Sequence, residues 1–218
     1  AYRLATRMNK SKAFFINKSD DPDAHFDKVF EQLHEQFGSA VCPVLVPYKD
    51  GKNVFFLNLI ERKAYSFDAK GSRTTADFDD KMEELASQYT DTLSEALAST
   101  SEELLDKYFE EGEISQEEAV EALHQGIIDG SIVPVFSGSA VNLWGITFLL
   151  DTIADSFPRP TAKKVEKIID GDGFKDMPID PDGEPAIFVF KTIADPFVGK
   201  MSFFKVMSGT LTNDLTLK

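Results

Sequence analysis

Two short apolar runs, each followed by a turn and then by a helical pattern, constrain the fold of this chain most. The runs are residues 13–16 and 132–136. Runs of this length, bounded by polar or small residues, are typical of buried strands. Ligands of open α/β sheets bind at the carboxyl ends of such strands. The residues directly after the two runs are therefore the first candidates for a functional site.

The loop after the first run reads Asn17-Lys18-Ser19-Asp20. Asp21 is a plausible N-cap of the following helix, with Pro22 at its first position. Apolar residues at helical spacing then lead to Gly38, a left-handed C-cap position. An ordinary strand-to-helix turn is one interpretation of the loop. The other is recognition of guanine, whose ring N1–H and exocyclic amine are adjacent donors that one carboxylate accepts together.

Each residue type in the loop has a role in the guanine interpretation. Asp20 accepts from the two donors, which adenine does not offer as a pair. Asn17 donates to the acceptor edge of the base and ties neighbouring loops together. Lys18 lays its aliphatic stem along the face of the base while its ammonium group stays in water.

The second run is followed by Ser137-Gly138-Ser139-Ala140 and by another helical pattern. Alone, these small residues indicate only a tight turn. As a second strand-end loop downstream of Asn-Lys-x-Asp, they favour guanine recognition. The Ala140 N–H would donate to the guanine carbonyl oxygen, and the Ser139 hydroxyl would brace the Asp20 carboxylate.

Several segments, in this order, resemble a translational GTPase of the elongation factor G family: "FFINKSD", "VPVFSGSAVNLWGITFLLD" and "FKTIADPFVGKMSFFKVMSGTL". The last resembles the opening of that family's second, β-barrel domain. The resemblance implies GTP or GDP with Mg²⁺ as cofactor, GTP hydrolysis as activity and the ribosome as partner. It also implies a guanine site formed by Asn17, Lys18, Asp20, Ser139 and Ala140.

One departure from the family is the missing phosphate-binding loop. The 218 residues contain no Gly-x-x-x-x-Gly-Lys-Ser/Thr, the motif that cradles phosphates and holds Mg²⁺. We therefore expect a central fragment with no catalytic residue of its own, no activity alone and very weak GTP binding. Alternatives are a non-hydrolysing interaction protein with a degenerate G domain and a ribosome-protection relative.

The expected fold class is α/β: part of a P-loop NTPase-type G domain without its N-terminal half. Residues 1–42 and 132–160 form this part, and residues 43–131 form an acidic α+β insert subdomain. A Pro/Gly/Asp-rich linker at 161–184 precedes the first strands of a β-barrel domain at 185–218. An insert this large resembles elongation factor G and argues against the tRNA-delivering elongation factors.

The net negative charge of the chain is confined to the insert. Residues 77–121 contain 16 acidic and 2 basic residues, whereas the rest of the chain has 21 of each. Apolar residues at helical spacing from Met82 to Leu97 predict an amphipathic helix there, and Ser115 with Glu118 predicts a capping box of a second helix. The charge is either a solvated helix face or a docking surface. The family suggests a ribosomal stalk protein as its partner, and repulsion of phosphates disfavours RNA.

Composition excludes several other classes. No apolar run is long enough for a membrane span, and no signal peptide is visible. A lone Cys42 fits a reducing compartment, so we expect a cytoplasmic protein. We expect neither a membrane nor DNA as its partner. The three histidines lack metal-ligand spacing, and no metal-binding residue is predicted.

Overall fold

A computed structural model describes residues 1–51, 53–68, 70–159 and 164–216. The chain divides into two compact units, Ala1–Phe157 and Pro158–Lys218. The fold is α/β, with a parallel sheet and helices of G-domain type followed by antiparallel strands, as the sequence predicts.

The first unit contains six helices and seven strands among its described residues. In chain order they are α1 (Tyr2–Arg7), β1 (Phe14–Ile16), α2 (Phe26–Phe37), β2 (Val41–Pro43), β3 (Leu45–Asp50), β4 (Asn53–Asn58), β5 (Lys63–Phe67), β6 (Arg73–Asp77), α3 (Asp80–Ala98), α4 (Glu102–Glu111), α5 (Gln116–Asp129), β7 (Val133–Ser137) and α6 (Ile146–Ser156).

Both predicted apolar runs are strands of one parallel sheet. Its order is β1-β7-β2, so the two runs are direct neighbours although over 100 residues separate them in sequence. β7 lies in the middle and is buried along its whole length. A middle parallel strand is covered on both faces, which explains its uninterrupted apolar sequence.

The residues between β2 and β7 form a second sheet and three helices. Strands β3 to β6 make an antiparallel meander, called the insert sheet below, and its first turn contains Gly51. Helices α3, α4 and α5 are called the acidic helices. The predicted amphipathic helix is confirmed as α3, and the predicted capping box of Ser115 and Glu118 begins α5.

Residues of the parallel sheet, the insert sheet and the acidic helices share a hydrophobic core. α3 packs against β2, and α5 packs against β7 and α6. Burial of each large apolar side chain stabilises the fold by about 1.5–3 kcal/mol. The largest fully buried side chains come from all three parts: Phe56, Phe136, Leu45, Leu57, Leu97 and Ile127. The residues between β2 and β7 therefore share one core with the parallel sheet.

The structure corrects two details of the predicted helices. α2 begins at Phe26 with His25 as N-cap, not at Asp21. The Asp21 carboxylate accepts from the N–H of Asp23 (2.9 Å), and the Asp21 carbonyl accepts from Ala24 N–H (3.1 Å). These bonds close a turn over residues 21–24, so the helix begins only after this turn, at Phe26. From the sequence, α4 is not predicted as a separate helix, because a helix of only ten residues gives a short apolar pattern.

The second unit contains two antiparallel hairpins among its described residues. They are β8 (Val165–Asp170) with β9 (Gly173–Pro178), and β10 (Ala186–Asp195) with β11 (Gly199–Ser208). The first hairpin lies inside the range 161–184 expected to be a linker. Gly171, with a φ of 60°, supplies the tight turn that joins its strands. Residues 160–163 lie outside the described part of the chain.

No helix among the described residues is long and apolar enough to cross a membrane.

Candidate guanine-binding site

Two loops begin side by side at the carboxyl edge of the parallel sheet. The first loop is residues 17–21, after β1, and the second loop is residues 137–145, at the end of β7. Ile16 lies opposite Ser137 in the strand register, so both loops leave the sheet at the same level. Gly138 N–H donates to the Ile16 carbonyl (3.1 Å), and Ser19 N–H donates to the Gly138 carbonyl (2.9 Å). Main-chain bonds thus hold the two loops against each other.

Asn17 adds a side-chain link between the loops. Its Oδ1 accepts from Lys18 N–H (2.8 Å) and from Ala140 N–H (2.9 Å), across 123 positions of sequence. Nothing among the described residues accepts a hydrogen bond from its Nδ2. The oxygen of the amide therefore joins the loops, while its NH₂ group stays available to donate to a ligand.

Lys18 and Asp20 expose the charged groups of the first loop. Lys18 has a φ of 68°, and its carbonyl accepts from Asp21 N–H (2.9 Å), which closes a turn over residues 18–21. A non-glycine residue in the left-handed region costs about 1–2 kcal/mol. The Asp20 carboxylate is exposed and, within the described ranges, has no hydrogen-bond or ion-pair partner. Both of its oxygens are therefore available to accept from a ligand.

The second loop is folded tightly on itself. Ser139 and Trp144 exchange two main-chain hydrogen bonds of 3.0 Å, which enclose residues 140–143. A Cβ on Gly138 would lie 2.0 Å from the Trp144 carbonyl oxygen, and one on Gly145 would lie 2.4 Å from the Ser137 carbonyl oxygen. The small residues of this loop thus serve its own main-chain packing, in addition to any approach of a ligand.

Two hydrogen bonds expected for the second loop are made differently here. The Ser139 hydroxyl is buried and accepts from Asn142 N–H (3.2 Å), and it forms no bond to Asp20 in the described structure. Ala140 N–H, expected to face the guanine carbonyl, donates to Asn17. A base entering the site would take that donor from Asn17 or share it.

The insert sheet lies behind the second loop. The buried Ser137 hydroxyl donates to the Leu45 carbonyl at the start of β3 (2.8 Å). The Trp144 and Phe56 rings are 6.3 Å apart, centroid to centroid, and Phe148 of α6 packs edge-on against Tyr65 at 4.6 Å. Sequence motifs gave no sign of these contacts, because the partners are far apart along the chain.

A cavity of about 420 Å³ lies beside the first loop, toward α2 and β3. Its lining includes Asn17 and Lys18, but not Asp20, Ser139 or Ala140. The cavity therefore shares two residues with the candidate guanine site, but it does not include the Asp20 carboxylate or the second loop.

The acidic helices carry a local network around one cation. Lys107 pairs with Glu118 (2.7 Å) and with Glu111 (3.7 Å). The hydrogen bond from Lys107, assisted by those from Ser115, lowers the pKa of Glu118 to about 2. Most other acidic side chains on these helices remain exposed, which makes this face strongly negative.

The residues present fit a guanine base better than a whole nucleotide. A free carboxylate, an amide NH₂ group and a main-chain N–H lie on adjacent loops, which matches the donors and acceptors of guanine. The described residues contain no cluster of His, Cys, Asp or Glu side chains that could hold a metal ion. Phosphate and Mg²⁺ contacts would have to come from a motif that this sequence lacks.

Known proteins resemble this chain in sequence and in fold. The elongation factor Tu GTP binding domain, as a sequence family, matches residues 1–159. A crystal structure of a protein from Thermus thermophilus aligns with 95% of this chain, with a TM-score of 0.72 and 24% sequence identity. At that identity the likeness shows the fold alone, and the chain spans only 29% of the length of that protein.

The family match extends from α1 through both loops to the end of α6 and covers well over half of the chain. This chain belongs to the translational GTPase family defined by the elongation factor Tu GTP binding domain.

Proposed function

We propose that this chain is the guanine-reading part of an elongation factor G-like GTPase that acts on the ribosome in the cytoplasm. The nucleotide is GTP or GDP with Mg²⁺, and the base is bound by Asn17, Lys18, Asp20, Ser139 and Ala140. Phosphate binding and hydrolysis belong to the phosphate-binding loop of the full-length protein. The chain alone would bind GTP very weakly, since most nucleotide binding energy comes from phosphate and Mg²⁺ contacts.

The observation that carries the proposal is the Asn17–Ala140 hydrogen bond of 2.9 Å. It brings together two motifs that are 123 residues apart and holds them at one edge of the sheet. A free carboxylate then lies next to this link. An ordinary strand-to-helix turn would not need an asparagine that reaches across to a distant loop.

The chemistry of base recognition follows from these groups. The Asp20 carboxylate accepts from guanine N1–H and from the exocyclic amine, in two charge-assisted bonds. The Asn17 NH₂ group and the Ala140 N–H donate to the opposite, acceptor edge of the base. The Lys18 stem covers one face of the ring. Ser139 acts through the loop, because its buried hydroxyl fixes the turn that presents Ala140.

Substitution of Asp20 with Asn in the full-length protein tests this assignment. The introduced amide would point a donor at the guanine amine, and an unpaired donor costs about 1–3 kcal/mol, and more where a charged partner is lost. We expect roughly a ten- to several-hundred-fold loss in GDP affinity. Xanthine carries a carbonyl in place of that amine, so Asp20→Asn should bind XDP more tightly than the wild type does. Titration with both nucleotides measures the switch.

Asp23→Asn is the matched control, because Asp23 is an exposed aspartate just beyond the first loop. It should leave both affinities unchanged. Equal weakening of GDP and XDP by Asp20→Asn would indicate a collapsed loop, and no change in either would show that the first loop is not the guanine pocket. A full-length protein that binds no guanine nucleotide would instead support a non-hydrolysing interaction protein.

We further propose that the acidic helices dock a basic surface of a ribosomal stalk-type protein. The support is the confinement of the net charge of −14 to residues 77–121. Electrostatic steering predicts an association rate that falls as salt rises. Stopped-flow mixing of the full-length protein with the stalk protein at low and high ionic strength measures this. An association rate that does not depend on salt would instead support the alternative, in which the acidic residues form only a solvated helix face.

A further inference from the structure

Strand β3 contacts both loops of the candidate site. At its start, the Leu45 carbonyl accepts from the Ser137 hydroxyl, at the beginning of the second loop (2.8 Å). Near its end, the Lys49 ammonium group donates to the Asp21 carbonyl, at the end of the first loop (2.9 Å). One strand of the insert sheet is thus bonded to the residue that precedes Gly138-Ser139-Ala140 and to the residue that follows Asp20.

The strand is rigid enough to act as a spacer. Leu45 and Lys49 are four residues apart, which is about 13 Å along an extended strand. All six residues of β3 are paired with β4, from Leu45 opposite Asn58 to Asp50 opposite Asn53. Because this pairing fixes the length of β3, its two contacts add a second constraint to the direct bonds that hold the loops against each other.

The Lys49 contact controls the part of the first loop that carries Asp20. The Asp21 N–H and carbonyl are both engaged, the former with the Lys18 carbonyl and the latter with Lys49 and Ala24. A shift of the Asp21 peptide would therefore tilt the turn over residues 18–21. Since Asp20 lies inside that turn and its side chain has no other anchor among the described residues, its direction depends on this turn.

Other cations near the first loop do not make such a contact. Lys18 and Lys28 also line the cavity of about 420 Å³ beside the loop, together with Lys49. Within the described part of the chain, the ammonium groups of Lys18 and Lys28 form no hydrogen bond or ion pair. Lys49 is therefore distinguished by its contact and not by its charge alone.

We propose that β3 helps to set the spacing of the two guanine-reading loops and that Lys49 is a positioning residue for Asp20. This inference rests on the proposed function, because it assigns Lys49 a role in guanine recognition. The insert sheet would then support the nucleotide site by positioning its loops, without contacting the base itself.

The test compares three variants of the full-length protein. Lys49→Met keeps the stem and removes the donor, Lys49→Arg restores a donor, and Lys28→Met removes a charge from the same cavity without breaking a hydrogen bond. We expect Lys49→Met to speed dissociation of a fluorescent GDP analogue about three- to tenfold, the effect of losing one hydrogen bond. Lys49→Arg and Lys28→Met should stay within about twofold of the wild type by the same reasoning.

Hydrogen exchange of the nucleotide-free protein gives a second, independent readout. The amides of Asp21, Asp23 and Ala24 are hydrogen-bonded in and just after the first loop. They should exchange faster in Lys49→Met than in Lys28→Met. If Lys49 only stabilised the fold, Lys49→Met would lower the melting temperature without faster exchange of these amides. In that case Lys49→Arg would also fail to restore the wild-type rate of GDP dissociation.

The outcomes separate this inference from the proposed function. If the wild type binds GDP and Asp20→Asn switches to XDP, but Lys49→Met behaves like Lys28→Met in both measurements, the positioning role is overturned and the guanine site stands. If the wild type binds no guanine nucleotide, the proposed function fails, and Lys49 as a positioning residue for guanine fails with it.

Discussion

The two loops of the candidate site are adjacent but built in different ways. In the first loop only Ser19 is buried, and Asn17, Lys18 and Asp20 are exposed. The second loop begins with buried residues at positions 137–139, and its last residue, Gly145, is also buried. The first loop exposes the functional groups, whereas the second is a packed element that leaves Ala140 at the surface.

This difference gives the two loops different roles, because the second loop is rigid and the first loop exposes the functional groups. The second loop is fixed by the Ser139–Trp144 pair and by the insert sheet behind it. The first loop obtains its position from the second, through Asn17 and Ser19, and from Lys49. Changes in the second loop should therefore affect stability most, and changes in the first loop should affect binding most.

The largest effect on stability is expected from Gly138→Ala. The new Cβ would lie 2.0 Å from the Trp144 carbonyl oxygen and 2.7 Å from the Phe15 ring, in a buried position. Because main-chain atoms cannot move aside easily, we expect a loss of about 3 kcal/mol or more in the free energy of unfolding. Urea denaturation of the full-length protein measures this loss.

Gly112→Ala is the matched control for that substitution. Gly112 has a φ of 79°, but a Cβ there would meet no atom within 4 Å. Its cost is therefore conformational only, about 1–2 kcal/mol. Similar losses for the two variants would contradict the view that close packing distinguishes the second loop.

A smaller effect is expected from removal of the Asn17 link. Asn17→Ala leaves the N–H groups of Lys18 and Ala140 without their acceptor, and it should lower the free energy of unfolding by about 1 kcal/mol. Asn17→Asp keeps an acceptor oxygen and should preserve most of that stability. Both variants lose the NH₂ donor, so GDP affinity should fall in both.

Chemical denaturation and GDP titration of the two Asn17 variants together measure these effects. Full GDP affinity in Asn17→Asp would show that the amide donor does not contact the base. Equal stability of the two variants would show that the Oδ1 link between the loops contributes little.

The sequence was informative where one short segment contains its own explanation. Residues 13–16 and 132–136 were predicted as strands from their apolar runs, and the capping box at Ser115 predicted the start of α5. The motif Asn17-Lys18-Ser19-Asp20 is predicted to bind guanine because its residue types match that base, and this assignment stays a prediction. The match to the elongation factor Tu GTP binding domain agrees with the predicted translational GTPase family.

The sequence was less informative where contacts join distant segments. Nothing near Lys49 indicates that it reaches Asp21, 28 residues earlier, and nothing near Ser137 indicates its bond to Leu45. The start of α2 was misplaced because Asp21 bonds within a turn instead of capping the helix. Residues Val165–Pro178 form a hairpin where the sequence predicts a linker, because the Gly and Asp residues of its turn are also typical of linkers.

The central claim is that the two loops together bind a guanine base, and a crystal structure of the full-length protein with GDP tests it most directly. We predict both guanine donors within about 2.7–3.0 Å of the Asp20 carboxylate oxygens, and the Ala140 N–H directed at the guanine carbonyl oxygen. Bound GDP whose base lies away from Asp20, with the Asn17–Ala140 bond unchanged and the Asp20 carboxylate in solvent, would contradict the account.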